Sequence, residues 1–256
     1  MKNSTWSGRF KKGLDEEVLE FSESISFDHL LFDSDIRVCI AHAEMLSECK
    51  IISKKESNIL IKGLNTVQKK YDAGKLRLSI KFEDVHMNIE QALTKEIGEL
   101  GKKIHMGRSR NDLVATDFRL YLRDCSDLIL EKLRDIRYAL ALSAHDNSSV
   151  IFPGYTHLQL AQPVTFGHHL LAWHEMLARD EQRMAQTKDR LNVLPLGSAA
   201  LSGTPYKIDR KFVAKKLGFK TVSSNSMDAV SDRDFVCDFA YTCSMTMMPV
   251  SYTHLT

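Results

Sequence analysis

Apolar residues recur at helical spacing over most of the 256-residue chain. Leu60, Leu64, Val67 and Tyr71 follow Ser53 and Glu56, whose three-residue separation is that of a capping box, so a helix is expected to open at that serine. Ahead of it Ile36, Ile40, Ala43 and Leu46 share a helical face behind Asp33 or Ser34 as cap, and the short join near Ile51 to Ser53 predicts an antiparallel pair. Between Gly74 and Glu83 the period falls to two, with Leu76, Leu78, Ile80 and Phe82 alternating with polar residues, which predicts the chain's one extended segment. Helical spacing resumes through Ile89, Leu93 and Ile97 and stops at Gly98 and Gly101.

From Asn111 or Asp112 to about Ala144 the sequence contains neither Gly nor Pro. At 1.5 Å per residue that predicts a helix about 50 Å long. A second long helix is expected from Pro163, as first helical residue, to about Arg190. A short one follows from Asp209 to Leu217, stopped by Gly218, and a third long pattern covers Met227 to Met248. Pro249 then opens a stretch with no helical period. The fold class expected is all-α: a small mixed N-terminal helical domain over 1–105, part of an elongated central helical bundle over 106–248, and a tail, 249–256, foreign to the pattern. Helices so long and apolar on several faces call for neighbouring subunits to complete their burial, which predicts a homo-oligomer.

Composition narrows the chemistry. Hydrophobic residues make up 43% of the chain and charged ones 27%, ordinary values for a globular protein, and the net charge of +2 gives no global field for nucleic acid or a membrane surface. No apolar run approaches the ~18 residues of a spanning helix, and residues 1–10 lack a secretory h-region, so a cytoplasmic protein is expected. Five scattered cysteines without a C-x-x-C pair, and histidines without ligand spacing, give no sign of a disulfide framework or a metal site. Phosphate-loop, dinucleotide, zinc-peptidase and nucleophile-elbow motifs are absent from the sequence, which leaves catalysis without a cofactor.

Two clusters carry the candidate chemistry. In the first, His105 to Asp112, two guanidiniums (Arg108 and Arg110), the Ser109 hydroxyl and the Asn111 amide precede the longest helix. Unpaired N–H groups and a positive dipole end there suit a small anion such as a carboxylate. A basic loop with Asp112 as a plain cap is the simpler alternative, and Lys102 and Lys103 leave nucleic acid as another, though no aromatic residues interleave them. In the second, Pro153 to Gln159, a turn holds Thr156 beside His157, an imidazole able to move a proton near neutral pH. A solvated loop histidine is the simpler alternative there. Glu83 and Asp84 open a helix as a favourable dipole arrangement. The small residues of Gly197 to Gly203 suit close packing, and Asn225 to Asp228 suits a surface cap.

Taken together, Glu83-Asp84-Val85-His86-Met87, Gly107-Arg108-Ser109-Arg110-Asn111-Asp112, Gly154 to Gln159 with Ala161-Gln162-Pro163, Leu194 to Ser198 and Asn225 to Ala229 resemble the argininosuccinate lyases of the fumarase and aspartase superfamily. The matching order runs from about Trp6 to Met248. The resemblance implies a lyase domain followed by the central bundle of that superfamily, and a homotetramer whose active sites take segments from three subunits. It also implies reversible β-elimination of argininosuccinate to arginine and fumarate, with no cofactor and no metal. Residue by residue it implies substrate contacts at Ser24, Asp84, Ser109, Arg110, Asn111 and Thr156, and an acid-base role for His157. Family members continue for about two hundred residues more, through the loop that carries the catalytic serine, so this chain alone is expected to be an inactive fragment. A bulk structural protein on the same scaffold, as in the delta-crystallins, and a relative such as adenylosuccinate lyase are the alternatives, the latter disfavoured by Gly107 to Asp112.

Overall fold

The computed structural model describes residues 16–252. Residues 1–15, including Trp6 where the resemblance begins, and residues 253–256 of the expected tail lie outside the described residues. The elements in chain order are α1 (Glu16–Ser22), α2 (Ile25–Asp28), α3 (Phe32–Glu48), α4 (Lys54–Asp72), α5 (Val85–Ile97), α6 (Arg110–Asp146), β1 (Ile151–Thr156), β2 (Gln159–Thr165), α7 (Phe166–Leu191), β3 (Val193–Leu194), α8 (Arg210–Leu217), β4 (Thr221–Val222), α9 (Ser226–Ser231) and α10 (Asp234–Tyr252). Helix dominates, as the all-α expectation requires. The described residues divide into two compact units, one of 16–118 with 194–230 and the other of 119–193 with 231–252.

In the first unit, α3 and α4 pack antiparallel. Near the connecting loop the Ser57 hydroxyl donates to the Ala43 carbonyl at 3.0 Å, and at the far end Phe32 stacks on Tyr71 with centroids 3.8 Å apart. The Ser53–Glu56 capping box forms in full, with each residue's side chain accepting from the other's backbone N–H. Phe32, Ile36, Leu46, Leu60, Leu64, Ile89 and Leu93 make the buried core. A side chain on Gly63 would put its Cβ 2.7 Å from Leu93, so the small residue permits close approach of α4 and α5. The expected Asp33 or Ser34 cap of α3 is not used: the 3-10 turn His29–Leu31 runs directly into the helix at Phe32.

The alternation over 74–83 does not produce a strand. It tracks one-sided burial, with Leu76, Leu78 and Phe82 half-buried, and the segment ends in the 3-10 turn Ile80–Phe82. Among the described residues no partner strand meets it; instead Asn88 accepts from the Ser79 N–H at 2.8 Å and donates to the Ser79 carbonyl at 3.1 Å. In place of a ladder, one side chain satisfies one residue's backbone.

In the second unit, α6 runs antiparallel to α7, which runs antiparallel to α10. Arg134 Nε donates to Glu181 at 2.8 Å, Lys188 pairs with Asp127, and Arg119 reaches the Leu191 carbonyl at 3.1 Å while lying 4.2 Å over the Phe235 ring. Thr187 and Thr242 share a buried hydroxyl bond of 3.0 Å, and Arg190 meets Asp238 at 2.6 Å. The α6 helix, at 37 residues, is about 55 Å long at the standard rise.

Two boundaries differ from expectation. Pro163 is not a first helical residue: it lies in β2 opposite Pro153, and α7 starts at Phe166 under a Thr165 cap whose hydroxyl accepts from the His168 N–H at 3.1 Å. The Met227–Met248 pattern is two helices, broken where Asp232 accepts the Asp234 N–H at 2.8 Å, and the second continues past Pro249 to Tyr252.

Candidate functional site

Five of the expected site residues lie in the first unit. Asp84 caps α5, its Oδ1 accepting the Met87 N–H at 2.8 Å, and its Oδ2 takes Arg110 at 2.7 Å. Glu83 lies 3.7 Å from the same guanidinium, and its carbonyl accepts the backbone N–H groups of Ser24 and Ile25 at 2.9 and 3.1 Å. The Ser24 hydroxyl donates to Asp28 at 2.6 Å, and Asp28 accepts the Val85 N–H at 3.1 Å. Ser24, Asp84 and Arg110 are thus gathered around the first turn of α5.

Ser109 and Asn111 flank Arg110 at the start of α6. The Ser109 hydroxyl accepts the Asn111 N–H at 3.4 Å, while the Ser109 N–H donates to Asp112 Oδ1 at 2.9 Å. Asn111 Nδ2 donates to the Ala200 carbonyl at 3.0 Å, and Asp112 Oδ2 accepts from Gly197 and Ala199 at 2.9 and 2.7 Å. The Gly197–Gly203 stretch therefore serves this turn directly. Burial raises the Asp112 carboxyl above its ordinary range, against the lowering effect of its three N–H donors.

Arg108 departs from the sequence reading, which offered two guanidiniums to a ligand. It is buried and points into the core, donating from both terminal nitrogens to Cys39 Sγ at 3.2 Å. Arg110 is partly exposed and turns instead to Asp84 and Glu83.

Beneath the turn lies a set of buried polar residues to which the sequence reading gave no role. His86 Nδ1 donates to Asp35 at 2.5 Å and lies 3.5 Å from Asp117, and the Cys39 thiol donates to Asp35 at 2.9 Å. Burial raises Asp35, but the hydrogen bond and charge of His86 and the charge of Arg108 hold it below the usual range. Burial, with Asp35's charge, pushes Asp117 well above it. Burial and then the Arg108 charge lower His42 to about 3; its neutral ring donates from Nε2 to the Met106 carbonyl at 2.8 Å. The signal was available: Asp35, Cys39 and His42 recur at i, i+4, i+7 on the stripe of α3 that carries Val38 and Leu46, where charge is out of place.

Asp35, His86 and Asp117 are also the one trio among the described residues with donor atoms within 4.8 Å of one another. Two ligands of a tetrahedral zinc stand about 3.3 Å apart, given metal–ligand bonds near 2.0–2.1 Å. The 2.5 Å His86–Asp35 contact is instead a hydrogen bond, and the Arg108 charge acts on both carboxyls. The cluster is a buried ion and proton network.

Thr156 and His157 lie in the second unit, where the turn expected over Pro153 to Gln159 is part of a β-hairpin. Ile151 to Thr156 pairs antiparallel with Gln159 to Thr165, leaving His157 and Leu158 as a two-residue connection with φ of 46° and 62°. Both central residues at positive φ is the type I′ geometry that matches strand twist. A bulge separates Pro153 from Tyr155, and a Cβ on Gly154 would lie 2.6 Å from the Gln162 carbonyl, so that position requires glycine. Thr156, His157 and Leu158 are exposed at the tip.

The basic stretch before the turn is matched by acids: Lys102 meets Glu99 at 2.7 Å and Lys103 meets Glu56 at 2.5 Å. No helix among the described residues is long and apolar enough to cross a membrane.

Residues 8–252 match the lyase family, to which the chain belongs. Among curated relatives, argininosuccinate lyase of Nitrosococcus oceani is 52% identical over 246 residues, 96% of this chain and 53% of that protein. Argininosuccinate lyase of Pseudomonas syringae pv. tomato is 51% identical over 97% of this chain and 54% of its own length. Among solved structures, EDDS lyase in complex with formate superposes with a TM-score of 0.81 at 31% identity, covering 92% of this chain and 46% of that one. The chain spans about half the length of the relatives it matches.

Proposed function

We propose that the protein to which this chain belongs is an argininosuccinate lyase, cleaving argininosuccinate to arginine and fumarate by β-elimination. A base removes the proton beside a carboxylate, negative charge collects on that carboxylate, and the C–N bond breaks as the guanidino group leaves with a proton. The chemical demand is for fixed positive groups where that charge develops, commonly worth a few kcal/mol per donor. The observation that carries the reading is the placing of Arg110, between Ser109 and Asn111 at the start of α6, with Ser24 and Asp84 beside it. These residues suit the succinyl end, and Thr156 suits a further substrate contact. His157, exposed on a hairpin tip whose backbone is fixed, suits proton transfer.

In the full-length gene product, fumarate release followed by its ultraviolet absorbance should be lowered by His157→Asn by roughly 10² or more. A near-normal rate would remove the imidazole from the chemistry, and no fumarate from the wild type would remove the function.

The reading includes a homotetramer with shared sites, in the cytoplasm. Leu128, Ile136 and Leu142 on α6, and Ile151, Leu158 and Leu160 on the hairpin, are each 49–83% exposed within one chain, an apolar load suited to contact with further copies. Sedimentation should find the full-length protein as a tetramer and Ile136→Glu shifted to smaller species; a monomeric wild type would contradict this.

A further inference from the structure

We propose that Asp35, His86, Arg108 and Asp117 form a buried charge cluster that positions the Ser109–Asn111 turn, making Arg108 and His86 positioning residues for the anion grip that never touch the ligand. The inference rests on the reading of that turn as the grip.

The cluster holds both roots of the Arg110–Asp84 pair. Arg108 immediately precedes Ser109 and is tied through Cys39 to Asp35, both on α3. His86 stands two residues after Asp84 in the first turn of α5 and is tied to the same Asp35. The turn and the α5 N-terminus are therefore fastened to one α3 carboxylate from opposite sides. His42, one further turn along α3, holds the Met106 carbonyl as a third attachment.

Charge neutrality makes the set interdependent. With Arg108 positive and Asp35 and Asp117 both ionised, a neutral His86 leaves one uncompensated negative charge in a buried site, which burial strongly disfavours. One shared proton removes it. Both Asp117 oxygens lack a hydrogen-bond partner, and the residue is 0% exposed, so a proton retained among Asp117, His86 and Asp35 completes the balance. Lysine cannot replace Arg108, because the Cys39 sulfur is gripped by two prongs of a planar fork.

The test uses the full-length gene product and the variants Arg108→Lys, His86→Leu and His86→Asn. Asparagine can place its amide nitrogen near the position of Nδ1, whereas leucine cannot donate. Fumarate inhibition, the KM for argininosuccinate and amide hydrogen exchange over 107–113 are measured with thermal unfolding as control. Arg108→Lys and His86→Leu should each raise the fumarate inhibition constant and KM about tenfold and accelerate exchange over 107–113 by a similar factor, since small misplacements of a grip are costly. His86→Asn should recover most of the loss. Lower melting temperature with unchanged inhibition constant and unchanged local exchange would overturn the proposal, as would equal damage from leucine and asparagine. If the wild type releases no fumarate, the functional reading falls, yet the exchange comparison still decides whether the cluster fixes the turn. Should Arg108→Lys fail to fold, the His86 pair carries the decision.

Discussion

Replacing Asp112 tests how the turn at the start of α6 is held. Its carboxylate accepts from three backbone N–H groups at once, those of Ser109, Gly197 and Ala199, at 2.7–2.9 Å, and the residue is 0% exposed. A buried N–H left without a partner costs about 1–3 kcal/mol. Asp112→Asn retains one oxygen, which can serve Gly197 and Ala199 together, but turns an NH₂ toward the Ser109 N–H; the expected loss is about 1–3 kcal/mol. Asp112→Ala strands all three, and partial rehydration holds the expected loss to about 3–6 kcal/mol. Urea unfolding at pH 7, followed by circular dichroism and by fluorescence, measures both, with coincident transitions as the condition for comparing free energies. If asparagine fell within about 0.5 kcal/mol of wild type, or alanine were no worse than asparagine, the three-donor account would be refuted.

Two further outcomes follow from buried groups. His42 has a folded pKa of about 3 against about 6.5 in an unfolded chain, so its contribution is fully present above pH 6.5 and is lost as pH falls toward 3. Between pH 6 and 4 that amounts to about 2–3 kcal/mol, which His42→Gln should remove from the pH dependence of urea unfolding; an unchanged slope would contradict it. A Cβ on Gly167 would lie 2.4 Å from the Ala144 carbonyl, so Gly167→Ala should cost about 1–3 kcal/mol by prying α7 from α6; a neutral substitution would show that the two helices do not cross there as closely as described.

Local chemistry was legible in the sequence wherever it acts within a few residues. Ser53 with Glu56, Asp209 before α8 and Gly218 after it mark helix ends because each cap is satisfied inside its own turn. The β1–β2 hairpin was not legible, for a physical reason: its turn residues are His157 and Leu158 in place of the glycine and asparagine that usually announce positive φ, and Pro163 reads as a helix start. The alternation at 74–83 misled in the opposite direction, since period-two burial needs only one covered side, and a strand needs a partner. Of the site, the outward residues were visible as motifs. The buried network was visible only as polar residues on the apolar stripe of α3, because the contacts of His86 with Asp35 and Asp117 span 51 and 31 residues of chain and no spacing encodes them.

The start of α6 also corrects the physical basis on which an anion was expected there. The sequence offered a helix N-terminus with unpaired N–H groups, yet Ser109 N–H is taken by Asp112 and Asn111 N–H by the Ser109 hydroxyl. Those two donors stabilise the turn and cannot also grip a ligand without breaking it. On the proposed reading, recognition of a carboxylate falls chiefly to side chains, above all Arg110, whose guanidinium rests against Asp84 and near Glu83. A dianion bound there as proposed would meet a cation whose charge is partly balanced by acids that also hold the fork in place. In the proposed elimination, such a balanced cation would discriminate in favour of the species with most charge at that position, the transition state rather than the substrate.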